Sequence, residues 1–301
     1  CLYRYPEVGV AAGMMDFHDG RLGRAWYAYT YFDKALGSLR KTSAFHFKIG
    51  FGGAYLTRHF DAVRNPENIA IGSPFNYAFR TEVYWADQLS PFWQMKAGLA
   101  VTHFSNAAYR IPNAGINIVG LQASIGYVPQ SQRVRIHHRD TTTAQWHRGW
   151  TLHTSAALTI KEVGQPGGPK HPGLVLSAYG SRRYGAKGAW QVGMDATFDT
   201  SVQYLIENDW ALQNVPDKPD WRRAAATVGH ELFLSDRLSL LTQLGIYVYS
   251  PYRPWHPVYQ RYGLKYYARG KTGLFGALSL KTHLATADFV EWTVGKRFGK
   301  N

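Results

Sequence analysis

At 301 residues, with 45% apolar and 15% aromatic content, the chain is long enough for one large β domain or two ordinary ones. Its apolar runs fall short of the roughly 18–20 residues that a membrane helix needs, so helical membrane spans are excluded. The single cysteine, Cys1, rules out an internal disulfide and a cysteine-ligated metal site, and the net charge of +14 calls for an anionic partner.

Basic residues are scattered over turns and strand ends, without a dense Lys/Arg block or any of the usual nucleic-acid motifs. That favours the phosphates of membrane lipids over nucleic acid. The start carries no basic-then-apolar leader, as expected of a mature chain, and Cys1 is a candidate for lipidation of the kind found on processed envelope lipoproteins.

Taken in chain order, period-two alternation predicts about fourteen strands, with twelve as the lower bound. They cover 7–17, 25–34, 43–57, 75–87, 92–105, 116–129, 149–162, 173–182, 189–207, 222–234, 237–250, 260–268, 272–283 and 287–298. In the fifth, Trp93, Met95, Ala97, Leu99 and Val101 alternate with Gln94, Lys96, Gly98, Ala100 and Thr102. The sixth and last strands repeat the pattern, the last setting Val290, Trp292, Val294 and Phe298 against Glu291, Thr293, Gly295 and Arg297. A polar set containing Gln, Lys, Glu and Arg suits a lumen, so the apolar set is expected to face lipid. Abundant aromatics and a final Phe298 complete the expectation of an all-β, antiparallel transmembrane barrel in a bacterial outer membrane.

Breaks after strands 3, 5, 7, 9 and 11 are long and mostly Pro-rich, whereas those after 2, 4, 8, 10 and 12 are short, which makes the odd breaks the external loops. The polar segment 131–148 does not fit that scheme. With no low-complexity linker or short-period repeat, residues 1–301 are read as one barrel, with a distinctive hairpin at about 92–129.

That hairpin carries "HFSNAAYRIPNAGIN" at 103–117. His103 and Ser105, two residues apart, project from one face about 6.5–7 Å apart along the chain, and both share the outward parity of Leu99 and Val101. A serine is a weak nucleophile at neutral pH and needs a base to take its proton, which an imidazole can do. Residues at a membrane interface bonded to lipid headgroups would show the same pair.

The segment resembles the active-site stretch of the lipid A 3-O-deacylase (PagL-like) family, in its His-aromatic-Ser-Asn-Ala run followed by Pro-Asn-x-Gly. The resemblance implies an outer-membrane serine esterase that removes an ester-linked acyl chain from lipid A without metal or cofactor. By it, His103 is the base, Ser105 the nucleophile, and Asn106 and Asn113 form the oxyanion hole. The family's acid twelve positions after the serine is Asn117 here, which can orient His103 but brings no charge. Glu82, on the preceding strand, is a weak substitute. The family's compact members have eight strands, fewer than are counted in this chain.

Arg110, Arg222 and Arg223, with Lys161, Lys170 and Arg253, lie in or beside the expected external loops and are candidates for lipid A phosphates. His46, His153 and His230 lack metal-ligand spacing and are read as structural. Two other functions remain at this point: a non-catalytic lipopolysaccharide-binding or scaffold subunit of an envelope complex, and a passive porin.

Overall fold

The computed structural model describes residues 6–38, 42–128, 149–268, 272–284 and 286–299. Cys1 and the segment 131–148 lie outside them. Among the described residues there are fourteen strands, every adjacent pair antiparallel. They are β1 (Glu7–Asp16), β2 (Arg24–Ser38), β3 (Ser43–Leu56), β4 (Phe75–Gln88), β5 (Trp93–Ser105), β6 (Ile116–Tyr127), β7 (Trp150–Glu162) and β8 (Lys170–Arg183). The remainder are β9 (Gly188–Asp199), β10 (Arg223–Phe233), β11 (Leu238–Tyr249), β12 (Val258–Tyr267), β13 (Leu274–His283) and β14 (Thr286–Phe298).

The expectation of one continuous barrel needs correction. β1 to β6 form a six-stranded meander, whereas β7 to β14 close on themselves through pairing of β14 with β7, Trp292 opposite Leu158 and Phe298 opposite Leu152. Alternation fixes which face a residue takes but not which strand its neighbour pairs with, so sequence pattern cannot distinguish one sheet from two. Among the described residues the chain accordingly divides into two compact units along the same line, with residues 107–111 grouped with the second.

In the first unit the apolar parity faces outward. Leu121 and Val119 are 88% and 72% exposed, and Trp26, Phe75, Val83 and Leu99 are exposed on neighbouring strands. The inward parity is polar. Arg80 donates to Glu82 (2.6 Å), Thr102 (2.7 Å) and Gln122 (3.0 Å), and Gln122 returns a bond to Glu82 (3.0 Å), so these side chains satisfy one another. At one end this gives way to an apolar cluster of Leu56, Ile71, Phe104 and Ile116, with Phe17 and Tyr27 edge-on to Phe104.

The second unit repeats the inversion around a filled interior. Leu158, Met194, Val248 and Val294 are exposed, while Lys161, Asp199, Arg261, Lys265, Lys281 and Glu291 are buried. Arg261 grips Glu291 through two bonds (2.6 and 2.9 Å), and Lys265 reaches Tyr179 (2.9 Å) and Glu231 (3.3 Å). An eight-stranded barrel is only wide enough for its own side chains, and the space left at this layer is about 30 Å³, room for roughly one or two waters.

β9 stops earlier than its alternation predicts. The strand expected over 189–207 ends at Asp199, and a helix, α1 (Thr200–Glu207), follows it. Val202, Tyr204 and Ile206 alternate as a strand would, but Val202 and Ile206 are also one helical turn apart and are the buried pair. Asp199 decides the outcome by accepting from Ser201 N (3.0 Å) as the helix N-cap.

Candidate active site

The β5–β6 hairpin pairs His103 directly with Asn117 on the outward face. Asn117 Oδ1 lies 2.7 Å from His103 Nδ1. Since an amide oxygen can only accept, Nδ1 carries the proton and the basic lone pair stands on Nε2. The asparagine thus fixes tautomer and ring orientation but contributes no charge against an imidazolium.

Ser105 is the last residue of β5 and only 6% exposed. Its Oγ lies 2.9 Å from Asn113 Nδ2 and 3.2 Å from Asn113 Oδ1. The backbone N–H of Asn106 donates to Asn113 Oδ1 (3.0 Å), which settles the amide's orientation and turns Nδ2 toward the serine oxygen. Asn113 therefore holds a donor beside the nucleophile. The Asn106 side chain does something else: it is 3% exposed and donates to Ser73 Oγ (3.0 Å).

Sequence reading missed the β3–β4 connection, which braces this hairpin. Gly115 N donates to Ala70 O (2.9 Å) and Ala114 N to Ile69 O (3.3 Å), while Asn68 Oδ1 accepts from Ala70 N and Ile71 N. Gly115 itself has a φ of 78°, and a Cβ there would meet His103 Cε1 at 2.9 Å, so glycine serves both the turn and the seat of the imidazole ring.

The other candidate residues are dispersed. Glu82 stands opposite Ala100, faces the interior and is held by Arg80, so it is not a partner for His103. Arg222 is exposed and bonded to Asp220 (3.0 Å), whose carboxyl this guanidinium holds down to about 2. Arg223, one residue on, takes the opposite face, and its side chain is buried against Asp199 (2.9 Å), which corrects the expectation of a surface contact with lipid phosphate. Lys161 is likewise interior, between Asp199 and Asp288. Lys170 pairs with Glu162, and Arg110 is exposed in the segment grouped with the second unit. His46 bonds Asp33 (2.8 Å), His153 is buried against Tyr179, and His230 meets Tyr184 (2.7 Å). Among the described residues no group of three or more potential ligands could hold a metal.

A family model described as Lipid A 3-O-deacylase (PagL) matches residues 7–126, and one described as Acyloxyacyl hydrolase, C-terminal domain, matches residues 150–301. The chain belongs to the PagL family. The two matches coincide with the two sheets, β1 to β6 and β7 to β14, so each PagL-family segment corresponds to one structural unit. Membership, with the apolar exterior of both units, makes the chain an outer-membrane β-barrel protein of a hydrolase family. No curated protein matches this PagL-family chain. Among solved structures it is similar to a KdgM porin in complex with disordered oligogalacturonate, at 5% identity and a TM-score of 0.23, covering 98% of this chain and 100% of the porin. A Pseudomonas aeruginosa FadL homologue matches at 10% identity and a TM-score of 0.22, covering 97% and 86%. Both likenesses are too slight to bear on function.

Proposed function

We propose that this chain is a serine esterase that removes an ester-linked acyl chain from lipid A in the outer leaflet. The observation that carries this reading is the bond from His103 to Asn117, which leaves Nε2 as base on the same outward face as Ser105. The exposed apolar residues that share that face, Leu99, Val119 and Leu121, suit a substrate whose acyl chains lie in the membrane.

In this mechanism Ser105 Oγ attacks the ester carbonyl and gives its proton to His103 Nε2. Asn113 Nδ2, already beside Oγ, donates to the oxyanion of the tetrahedral intermediate. The bond to the sugar oxygen then breaks as His103 returns the proton to it, leaving the acyl group on Ser105. Water, deprotonated by the same imidazole, attacks the acyl carbonyl, and the bond to Ser105 Oγ breaks as His103 returns the proton to that oxygen and the fatty acid leaves. Asn106 supports the site through its backbone bond to Asn113 and its anchor on Ser73. No step uses a metal or a cofactor.

Labelling with a fluorophosphonate tests the nucleophile. Modification of the purified protein on the Ser105 peptide, lost in His103→Ala, supports the reading; labelling that ignores His103 contradicts it. Asn117, which withholds the charge an acid would supply, favours a second reading in which the barrel binds lipopolysaccharide without cleaving it, alone or within an envelope complex. On that reading wild type retains lipid A but releases no fatty acid.

A further inference from the structure

We infer that Lys170 and Glu162 are positioning residues for the nucleophile, a role that rests on the esterase reading of Ser105. They hold residues 107–111, a loop grouped with their own unit, in the strained path that the chain takes between Ser105 and Asn113.

Ser105 ends β5, and the chain comes back at Asn113, whose amide supplies the donor beside Ser105 Oγ. Between the two, Ala107 and Ala108 are both left-handed, with φ of 53° and 62°. Glycine adopts that backbone freely, but an alanine sets its Cβ against the chain, and such strain persists only where the surroundings over-determine it. Two bonds that do so come from the end of the β7–β8 hairpin. Glu162 N donates to Ala108 O (3.0 Å), and Lys170 Nζ donates to Tyr109 O (2.5 Å), with the ammonium 4.6 Å from the centre of the Tyr109 ring.

Both residues are themselves fixed. Glu162 and Lys170 stand opposite each other at the end of the β7–β8 ladder. The Glu162 side chain is buried; Oε2 accepts from Lys170 Nζ, and Oε1 accepts from Gly167 N (2.8 Å) in the turn of the same hairpin. One ammonium thus neutralises a buried carboxylate and ties down a carbonyl of the loop, so its direction is set before substrate arrives. A lysine serving Glu162 alone would leave the path of the loop to two alanines, which favour right-handed backbone. Attack on a carbonyl tolerates little misplacement, and a shift of about 1 Å caused from a distance can cost about a hundredfold in rate.

Two readouts on the full chain in detergent test this: hydrogen exchange of the loop amides, and the rate at which a small fluorophosphonate labels Ser105. The variant is Lys170→Met with Glu162→Gln, which removes the ammonium without leaving a buried charge behind. Faster exchange over 107–111, labelling slowed at least about tenfold, and kcat for fatty-acid release lowered alike with little change in KM are the expected results. Lys170→Arg, which keeps charge and donors, is expected to stay near wild type. The fluorophosphonate carries no lipid A headgroup, so slower labelling does not come from a lost lipid contact. Unchanged exchange over 107–111 overturns the inference whatever the activity. Faster exchange with labelling at the wild-type rate overturns it too, as does a rise in KM alone, which makes Lys170 a headgroup contact. A wild type that takes no label at Ser105 sinks the esterase reading and the positioning role with it, while the exchange result still decides whether the pair holds the loop.

Discussion

At the scale of single residues the catalytic account turns on Asn117 and Gly115. Asn117 orients His103 and holds its tautomer as an acid would, but as a neutral amide it cannot stabilise the imidazolium that forms during the reaction. Asn117→Glu is therefore expected to raise kcat on lipid A by at least about tenfold, and Asn117→Ala to lower it, in a steady-state assay of fatty-acid release. Asn113→Ala removes the donor beside Oγ and is expected to lower kcat about 10²–10³-fold with little change in KM. Gly115→Ala places a methyl group 2.9 Å from the imidazole at a φ of 78°, and should reduce kcat while circular dichroism stays that of wild type. The pairing of His103 with Asn117 was within reach of the sequence because strand parity and hairpin register are local. Ser73 and Ala70 were not, since they reach the hairpin from some thirty to forty-five residues away, and nothing in "IGSPFN" announces that contact.

At the scale of elements, alternation located all fourteen strands, most ends falling within a few residues of the expected positions. The marked exception is the end of β9, where a residue pattern compatible with both strand and helix was decided by Asp199. That carboxylate caps α1 and also pairs with Lys161 and Arg223 inside the barrel. Asp199→Asn keeps a competent N-cap and removes only the charge, so it isolates the second role. It is expected to destabilise the protein by about 3–5 kcal/mol in urea unfolding, because two buried cations lose their shared partner. A change within about 1 kcal/mol would place the cap, not the ion pairs, at the centre of this junction. Arg223 was within reach of the same parity argument: it shares the face of Thr227 and Glu231, both buried, whereas Arg222 does not.

At the scale of the whole molecule, the sequence indicated an outer-membrane β architecture but not its division into two sheets. Closure depends on β14 finding β7, a pairing across more than a hundred residues that period-two patterning does not encode. The closed barrel is filled by Arg261, Glu291, Lys265 and Glu231 with their neighbours, which argues against a water-filled pore through it. Liposomes containing the purified protein are accordingly expected to show no more swelling in small sugars than protein-free liposomes, whereas an open porin would make them permeable.

The central claim is that Ser105 cleaves an acyl ester of lipid A. Mass spectrometry of lipid A incubated with the purified protein in detergent, wild type beside Ser105→Ala, tests it most directly. The account predicts loss of one acyl chain with wild type and an unchanged mass with the variant. An unchanged mass with both, under conditions in which an active member of the family works, would contradict it.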